Sequence, residues 1–261
     1  MELLNITKYC QDWADKIKLQ IQKNGKTPIV SFYITDNETV NRKYLNDRIK
    51  DCVGAGITAR VHEPMDKKKL LRSIISDEAD AIIVQTPIPV EISETMMQKV
   101  IPPEKDVTGF GAGEMFMRPT PGGIIRYLDD CGFRFEGANA VVIGRNQAIG
   151  KPIAMYLLDR NCTVTICHSY TSKNYLYTLL NWGDLVVCAV GKHGVFRASD
   201  ADPKTLIIDV GITLDENDKF VRSVIDDVGG GGSIPLPEEI DLLSRCMLLE
   251  NIVVASMGVP R

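Results

Sequence analysis

The first part of the chain alternates between helical and extended hydrophobic patterns. Apolar residues recur at helical spacing in residues 5–23 (Ile6, Cys10, Trp13, Ile17 and Ile21), and the apolar, β-branched run 28–34 predicts a strand. The pattern then predicts a polar helix over 38–54, a strand over 57–63, a Lys-rich helix over 66–76 and a buried strand over 81–85. This βαβαβ order favours a parallel sheet that is covered by helices.

A glycine- and proline-rich stretch, residues 101–123, interrupts this alternation. We place a domain boundary there and expect a helix from about residue 123. The alternation resumes with strands over 139–144, 163–168, 184–191 and 205–212, and with helices over 149–159 and 174–182. This second half is typical of a small doubly wound nucleotide-binding domain. A charged turn, a glycine run over 229–232, a helix over 238–249 and an apolar segment over 251–259 follow.

Composition and charge narrow the class of protein. With 261 residues the chain has room for one large or two modest domains. Its 30 Lys and Arg residues stand against 34 Asp and Glu residues, and the net charge of −4 argues against a nucleic-acid-binding protein. No apolar run approaches the roughly 18 residues that a membrane span needs. We therefore expect neither a nucleic acid nor a membrane as partner.

Cysteine and histidine usage indicates a reducing compartment and no metal centre. The seven cysteines are odd in number, scattered and without a CxxC pair, and the three histidines lie far apart in the sequence. Scattered cysteines without a pairing pattern are typical of cytosolic proteins. We therefore expect a cytoplasmic protein without a metal site.

The sharpest local motif is VVIGRNQAIGKP, residues 141–152. Gly144 and Gly150 follow a predicted strand and open a predicted helix. Such glycines allow a tight turn, and the N–H groups at the helix N-terminus can face a pyrophosphate. The motif departs from the standard GxGxxG pattern, so an ordinary glycine-containing βα turn is the alternative.

Neighbouring residues favour NADP over NAD. The next predicted strand ends at His168–Ser169, where a dinucleotide-binding fold usually places the acidic residue that binds the ribose. Arg145 and Ser169 suit a 2′-phosphate instead, although a solvated surface arginine is the alternative for Arg145. Gly191 and Gly211 end two further strands, so three strand ends are expected to converge on one crevice.

Several motifs together resemble one enzyme family. The stretch VVIGRNQAIGKPIAMYLLDRNCTVTICHSYT is similar to the family pattern GRSxxVGxP followed by ATVTxCHSxT. The segments VQTPIP, KDVTGF, PTPGG, DLVVCAVGK and LIIDVGI match further family motifs in order and spacing. Over nearly its whole length the chain resembles the bifunctional methylenetetrahydrofolate dehydrogenase/cyclohydrolase family.

The resemblance implies an α/β fold, in which an N-terminal α/β domain and a Rossmann-like doubly wound domain have a cleft between them. We assign residues 1–121 and 240–261 to the folate domain and residues 122–239 to the NAD(P)-binding domain. The resemblance also implies a homodimer and a folate substrate. The dehydrogenase step moves a hydride from 5,10-methylenetetrahydrofolate to NADP, with NAD as the alternative cofactor. The cyclohydrolase step adds water to the 5,10-methenyl product and gives 10-formyltetrahydrofolate.

The resemblance also assigns the cofactor-binding residues. Asn146 stands where the family has serine and can still donate to a phosphate, and Tyr170 replaces a usual basic residue. The full expected set is Gly144, Arg145, Asn146, Gly150, Ser169, Gly191 and Ile212.

The folate side departs further from the family. Tyr44 is kept, but the catalytic lysine that the family has four residues later is Arg48. Gln85 matches the family's active-site glutamine, and Thr108 stands where the family has an aspartate that binds the pterin. The resemblance therefore implies Tyr44, Arg48 and Gln85 as catalytic residues. It implies Tyr44, Gln85, Thr108, Pro235 and Pro237 as substrate-binding residues. In the last segment, Glu238, Glu239 and Asp241 replace family glycines.

The chemistry separates the two reactions. Hydride transfer needs positioning more than an acid–base residue. Hydrolysis needs proton transfer, and arginine, which stays protonated, cannot act as a base. We therefore expect the cyclohydrolase step to be weak or absent. The alternative is a catalytically eroded or repurposed paralogue that binds a dinucleotide or a non-folate ligand. Without the family, Tyr44 and Arg48 would be read as a surface aromatic–cation pair and Gln85 as a loop residue.

Overall fold

The computed structural model describes residues 3–35, 39–85, 92–111, 115–214, 220–227 and 237–258. The chain divides into two compact units. We call Thr7–Pro119 with Arg245–Arg261 the N-terminal unit, and Thr120–Ser244 with Met1–Ile6 the central unit. No helix in the described ranges is long and apolar enough to cross a membrane.

The N-terminal unit is built on a parallel three-stranded sheet of order β2-β1-β3. Its elements are α1 (Ile6–Asn24), β1 (Ile29–Tyr33), α2 (Thr39–Ala55), β2 (Thr58–His62), α3 (Lys67–Ile75), β3 (Ala81–Val84) and α4 (Glu94–Val100). The five apolar positions that predicted α1 are all buried, as an amphipathic helix requires. A short 3-10 helix, Pro103–Lys105, follows α4.

The central unit is built on a parallel four-stranded sheet of order β5-β4-β6-β8. Its first elements are α5 (Pro119–Asp130), β4 (Asn139–Ile143), α6 (Gly150–Asp159), β5 (Thr163–Cys167), α7 (Lys173–Leu180) and β6 (Leu185–Cys188). They are followed by β7 (Phe196–Arg197), β8 (Leu206–Asp209), β9 (Ile212–Leu214), β10 (Phe220–Arg222) and β11 (Val224–Ile225). The last helix, α8 (Pro237–Ser256), begins in the central unit, and its residues from Arg245 on belong to the N-terminal unit. The pairs β7–β11 and β9–β10 form two small separate sheets.

Two helices differ from the sequence prediction. Helix α5 begins at Pro119 rather than near residue 123, because the first turn of a helix tolerates proline, which has no N–H group to pair. Helix α8 continues to Ser256, whereas the pattern predicted a helix over 238–249 and a separate apolar segment. Four consecutive residues near its end, 251–254, are all buried, so this part of the helix shows no alternation of buried and exposed faces.

The strands of the central unit also differ in length from the prediction. Strand β6 ends at Cys188 rather than at residue 191, and the predicted strand 205–212 is divided into β8 and β9. The division occurs because Asp209 Oδ1 accepts a hydrogen bond from the N–H of Gly211, 3.0 Å away, which turns the chain. The glycine run 229–232 lies outside the described residues.

Candidate active site

The order of the larger sheet defines a switch point between β4 and β6. Strand β5 lies on one side of β4, whereas β6 and β8 lie on the other. In open α/β sheets, ligands bind outside the carboxyl ends of the strands at such a point. Gly144 follows β4, and Ala189 follows β6 and donates to Ile143 O at 2.7 Å. The predicted glycine motif therefore lies where this fold class binds its ligands.

The glycines of this motif are required by close backbone packing. Gly144 has φ of +111°, and a Cβ atom there would come within 2.5 Å of the carbonyl oxygen of Ala189. A Cβ atom at Gly150 would come within 2.5 Å of the carbonyl oxygen of Gly144. Both distances are too short for any real side chain. The backbone between β4 and α6 is thus a bare cradle at the N-terminus of a helix, which suits a phosphate group.

The Asn146 side chain holds the two sides of this cradle together by hydrogen bonds. Its Nδ2 donates to Ala189 O at 2.8 Å, and its Oδ1 accepts from the backbone N–H of Ile149 at 2.8 Å. The side chain therefore joins the loop after β4 to the loop after β6 and binds the backbone at the residue before α6. Its expected donation to a phosphate stays a prediction.

The turn after β5 is exposed and contains no carboxylate in its sequence, HSYTS. It is held by the His168 N–H, which donates to Thr171 Oγ1 at 3.0 Å, and by the Tyr170 N–H, which donates to His168 Nδ1 at 3.2 Å. Ser169 and Arg145 are exposed, and Tyr170 is 85% exposed. The turn itself therefore offers hydroxyl groups and no carboxylate to a group bound beside it.

Asp209, which no sequence pattern marks as a site residue, organises the turn after β8. Its carboxylate is fully buried and accepts from the N–H groups of Gly211 and Val224, at 3.0 and 2.9 Å. Burial raises the pKa of Asp209 above its usual value, although these two hydrogen bonds act in the opposite direction. Gly211 has no room for a Cβ atom beside Val190 O. Ile212, a predicted cofactor residue, begins β9 directly after this turn.

In the N-terminal unit, Gln85 joins the ends of two strands. Its N–H donates to Tyr33 O at 3.0 Å, and its carbonyl accepts from Thr35 Oγ1 at 2.7 Å. Gln85 itself is half-buried directly after β3. The carboxyl ends of β1 and β3 therefore meet at this residue, which is where a parallel sheet presents functional groups.

Tyr44 and Arg48 lie one turn apart on α2, as their spacing predicts. Arg48 is half-buried. Burial, together with the nearby Asp51, raises the pKa of the Cys52 thiol to about 12, while the charge of Arg48 acts to lower it. The guanidinium is thus close enough to this buried thiol to influence it electrostatically.

Thr108 lies in a tight turn around a buried carboxylate. Its hydroxyl donates to Asp106 Oδ1 at 2.9 Å, and Asp106, 1% exposed, also accepts from the N–H groups of Phe110 and Gly111. Gly109 occupies this turn with φ of +63°. Asp106 was not identified from the sequence, because one acidic residue in a loop gives no sign that it is buried.

Among the described residues, the structure brings predicted residues together in the central unit. In the central unit, Gly144 and Asn146 both lie against Ala189, and Gly211 lies against the next residue, Val190. In the N-terminal unit, Gln85, Thr108 and the pair on α2 lie on different elements. Pro235 lies outside the described residues, and Pro237 begins α8.

Comparison with known proteins identifies the family. Residues 118–259 match the NAD(P)-binding domain of the tetrahydrofolate dehydrogenase/cyclohydrolase family, and residues 4–108 match its catalytic domain. The bifunctional protein FolD of Staphylococcus haemolyticus is 32% identical over 97% of this chain and 96% of that protein.

Solved structures agree with this match. The bifunctional FolD enzyme of Campylobacter jejuni superposes with a TM-score of 0.89 at 25% identity and covers 99% of both chains. A 5,10-methylenetetrahydrofolate dehydrogenase of the silkworm Bombyx mori superposes with a TM-score of 0.88 at 27% identity and covers 98% of both.

The two-domain α/β fold with its glycine cradle is thus that of an NAD(P)-dependent oxidoreductase. The chain belongs to the tetrahydrofolate dehydrogenase/cyclohydrolase family and is a methylenetetrahydrofolate dehydrogenase of one-carbon folate metabolism that uses NADP or NAD. The resemblance seen in the motifs is confirmed. The alternative of an eroded or repurposed paralogue is not supported.

Proposed function

We propose that this enzyme oxidises 5,10-methylenetetrahydrofolate with NADP and that its cyclohydrolase step is weak or absent. The observation that carries the proposal is Arg48, which occupies the position of the family's catalytic lysine on α2. The cofactor side keeps the features that dinucleotide binding needs, so the two reactions should be affected differently.

The central unit supports the choice of cofactor. The bare backbone at Gly144 and Gly150 fits a pyrophosphate at the N-terminus of α6. We assign the exposed Arg145 and Ser169 to a 2′-phosphate, because the turn after β5 has no acidic residue for a free ribose hydroxyl. We assign Gly191 and Ile212 to the remainder of the cofactor, with Asn146 as the brace between the two loops.

For the oxidation step, the main task of the protein is to hold the folate and the cofactor in the correct relative position. NADP, when bound, accepts the hydride. The nitrogen lone pairs of the folate drive hydride departure from the methylene carbon, so no side chain needs to move a proton in that step. We assign Tyr44, Gln85 and Thr108, with Pro235 and Pro237, to binding and orienting the folate.

Hydrolysis, unlike hydride transfer, requires a group that accepts a proton. Water that attacks the methenyl carbon must give up a proton, and the group that accepts it must be unprotonated beforehand. The guanidinium of Arg48 stays protonated at any working pH and cannot take that proton. We therefore expect the methenyl product to accumulate instead of being converted to 10-formyltetrahydrofolate.

The test follows NADPH formation and methenyl absorbance together on the purified enzyme. We expect both signals to rise together in the wild type. In Arg48→Lys we expect hydrolysis of added methenyltetrahydrofolate to increase by about 10²–10⁴-fold, the usual contribution of a general acid–base group. Arg48→Gln is the matched control, because it removes the charge without supplying a base and should not increase hydrolysis. A wild type that hydrolyses the methenyl product as fast as it forms would contradict the proposal.

We also propose a homodimer, a cytoplasmic location and the domain ranges 1–121 with 240–261 and 122–239. Support for the dimer comes from β5, an edge strand of the described sheet, whose exposed Ile166 accompanies the exposed Met155 and Leu158 of α6. An apolar surface beside an unpaired strand edge is suited to pairing with a second copy. Support for the location comes from the seven free cysteines. Light scattering should give the mass of two chains, and a monomer mass would contradict the dimer.

A further inference from the structure

A buried asparagine on α8 holds both ends of one loop in the N-terminal unit. Asn251 is fully buried, and its Nδ2 donates to Val107 O and to Met117 O, each at 2.9 Å. Both carbonyls belong to the segment 107–117, which begins inside the KDVTGF motif. One side-chain amide therefore closes this loop at its two ends.

The orientation of this amide is fixed by its partners. Carbonyl oxygens only accept hydrogen bonds, so the nitrogen of Asn251 must face both of them. Its Oδ1, also buried, has no hydrogen-bond partner among the residues that the structure describes. An unpaired buried acceptor destabilises a fold, and an apolar side chain of the same shape would avoid that penalty. The packing of α8 alone therefore gives no reason for an asparagine here.

The same loop is held at further points. Immediately before it, Lys105 Nζ donates to Asp77 O at 2.6 Å. Within it, Thr108 is bonded to the buried Asp106. A Cβ atom at Gly109 would come within 2.9 Å of Arg118 Cγ, so this turn packs closely against the Arg118 side chain. These contacts fix the position of Thr108, and Asn251 is the one among them that reaches the loop from α8.

We infer that Asn251 is a positioning residue for folate binding, which it serves by fixing the loop that carries Thr108. The inference rests on the proposed role of Thr108 in binding the folate. Asn251 acts through the loop backbone and has no proposed contact with substrate or cofactor. Its loss should therefore weaken the folate interaction and leave NADP binding intact.

The test compares two changes of nearly constant shape. In Asn251→Leu, which loses both donors, we expect the KM for methylenetetrahydrofolate to rise on the order of tenfold or more, because small displacements of binding groups are costly. The NADP dissociation constant, measured by calorimetry, should stay at the wild-type value. Ser256→Ala is the matched control on α8, since within the described residues the buried Ser256 hydroxyl donates to Val253 O of its own helix, at 2.7 Å. It should leave both constants unchanged.

Asn251→Asp adds a readout that a purely structural role would not give. At neutral pH its carboxylate would face two carbonyl oxygens, whereas the protonated acid can donate to one of them. Burial beside acceptors favours the neutral acid. The KM of this variant, relative to the wild type, should therefore improve as the pH is lowered from 8 to 6.

The outcomes separate the two proposals. If the wild type turns over methylenetetrahydrofolate but both variants keep its KM, the positioning role of Asn251 is wrong. If the wild type shows no turnover, the proposed function fails instead, and tetrahydrofolate binding measured by calorimetry on the same variants decides the role of Asn251. If the leucine variant does not fold, the pH dependence of the aspartate variant decides it.

Discussion

The candidate cofactor site in the central unit and the candidate folate site in the N-terminal unit use different parts of the protein, backbone in one and side chains in the other. In the central unit the site is mainly backbone: Gly144, Gly150 and Gly211 each lie so close to a carbonyl oxygen that no side chain fits. In the N-terminal unit the candidates are side chains on separate elements, such as Arg48 on α2 and Gln85 after β3. A backbone site tolerates few substitutions, whereas a side-chain site can change its chemistry without changing its fold.

This difference explains where the chain departs from its family. The roles that we propose for Arg48 and Thr108 change charge and proton transfer, and the fold accommodates both residues: Arg48 within α2, and Thr108 by a hydrogen bond to Asp106. The glycines of the cofactor cradle have not changed. Selection on the fold alone would therefore preserve dinucleotide binding while allowing the folate chemistry to shift.

The largest expected effect is a loss of NADP affinity on substitution in the glycine cradle, Gly144 and Gly150. In Gly150→Ala the new Cβ atom would press against Gly144 O, so the turn must open and the phosphate-binding backbone must move. We expect NADP affinity to fall on the order of a hundredfold, as small misplacements of binding groups allow. Calorimetric titration with NADP measures it.

The control for this change is Gly54→Ala. Gly54 lies in α2, and a Cβ atom there would have no atom within 4 Å. Alanine should stabilise that helix slightly and leave NADP affinity unchanged. Equal NADP affinities in the two variants would show that the cradle is not the cofactor site.

A smaller effect, on the KM for methylenetetrahydrofolate, is expected when a negative charge is introduced at Thr108. Thr108→Asp restores the family's residue and should lower the KM for methylenetetrahydrofolate about tenfold, since a charge-assisted hydrogen bond is worth about 1.5–3 kcal/mol. Thr108→Val removes only the hydroxyl that bonds Asp106, so it should lower stability without improving the KM. If the aspartate variant shows no lower KM than the valine variant, Thr108 does not face the pterin. Initial-rate kinetics on both variants measure this.

The contrast between a backbone site and a side-chain site also explains which features could be predicted from the sequence. The cradle could be found from Gly144 and Gly150, because a tight βα turn leaves a local glycine signal. The helix α4 was missed although Ser93 caps it, with Ser93 Oγ accepting from the Met96 N–H at 3.2 Å, because seven residues give little periodicity. Neither Asp209 nor Asn251 could be found at all. Their importance comes from partners distant in the chain, Val224 and Val107, and no local pattern records such a contact.

The smallest effect, on stability at low pH, concerns two aspartates, Asp209 and Asp77, whose pKa values shift in opposite directions. Burial raises the pKa of Asp209 in the central unit. Burial acts on Asp77 in the same direction, but the Ala79 N–H, the Tyr33 and Ser31 hydroxyls and the nearby His62 hold its pKa below the usual value. A lowered carboxyl pKa adds stability above the ordinary carboxyl pKa, and this stability is lost as the pH falls through the folded-state pKa. Asp77 should thus make the N-terminal unit sensitive to acid.

Tyr33→Phe removes one of these donors, the hydroxyl that lies 2.7 Å from Asp77 Oδ2. We expect the free energy of unfolding to fall by about 1–2 kcal/mol at pH 7 and by less at pH 3, where the wild type has begun to lose the same contribution. Urea unfolding across that pH range measures it. Tyr127→Phe is the matched control, because the Tyr127 hydroxyl donates to Leu4 O, at 2.6 Å, and a carbonyl does not titrate. Its loss of stability should be the same at both pH values, and a Tyr33→Phe profile parallel to it would show that the Asp77 hydrogen bonds do not govern the acid response.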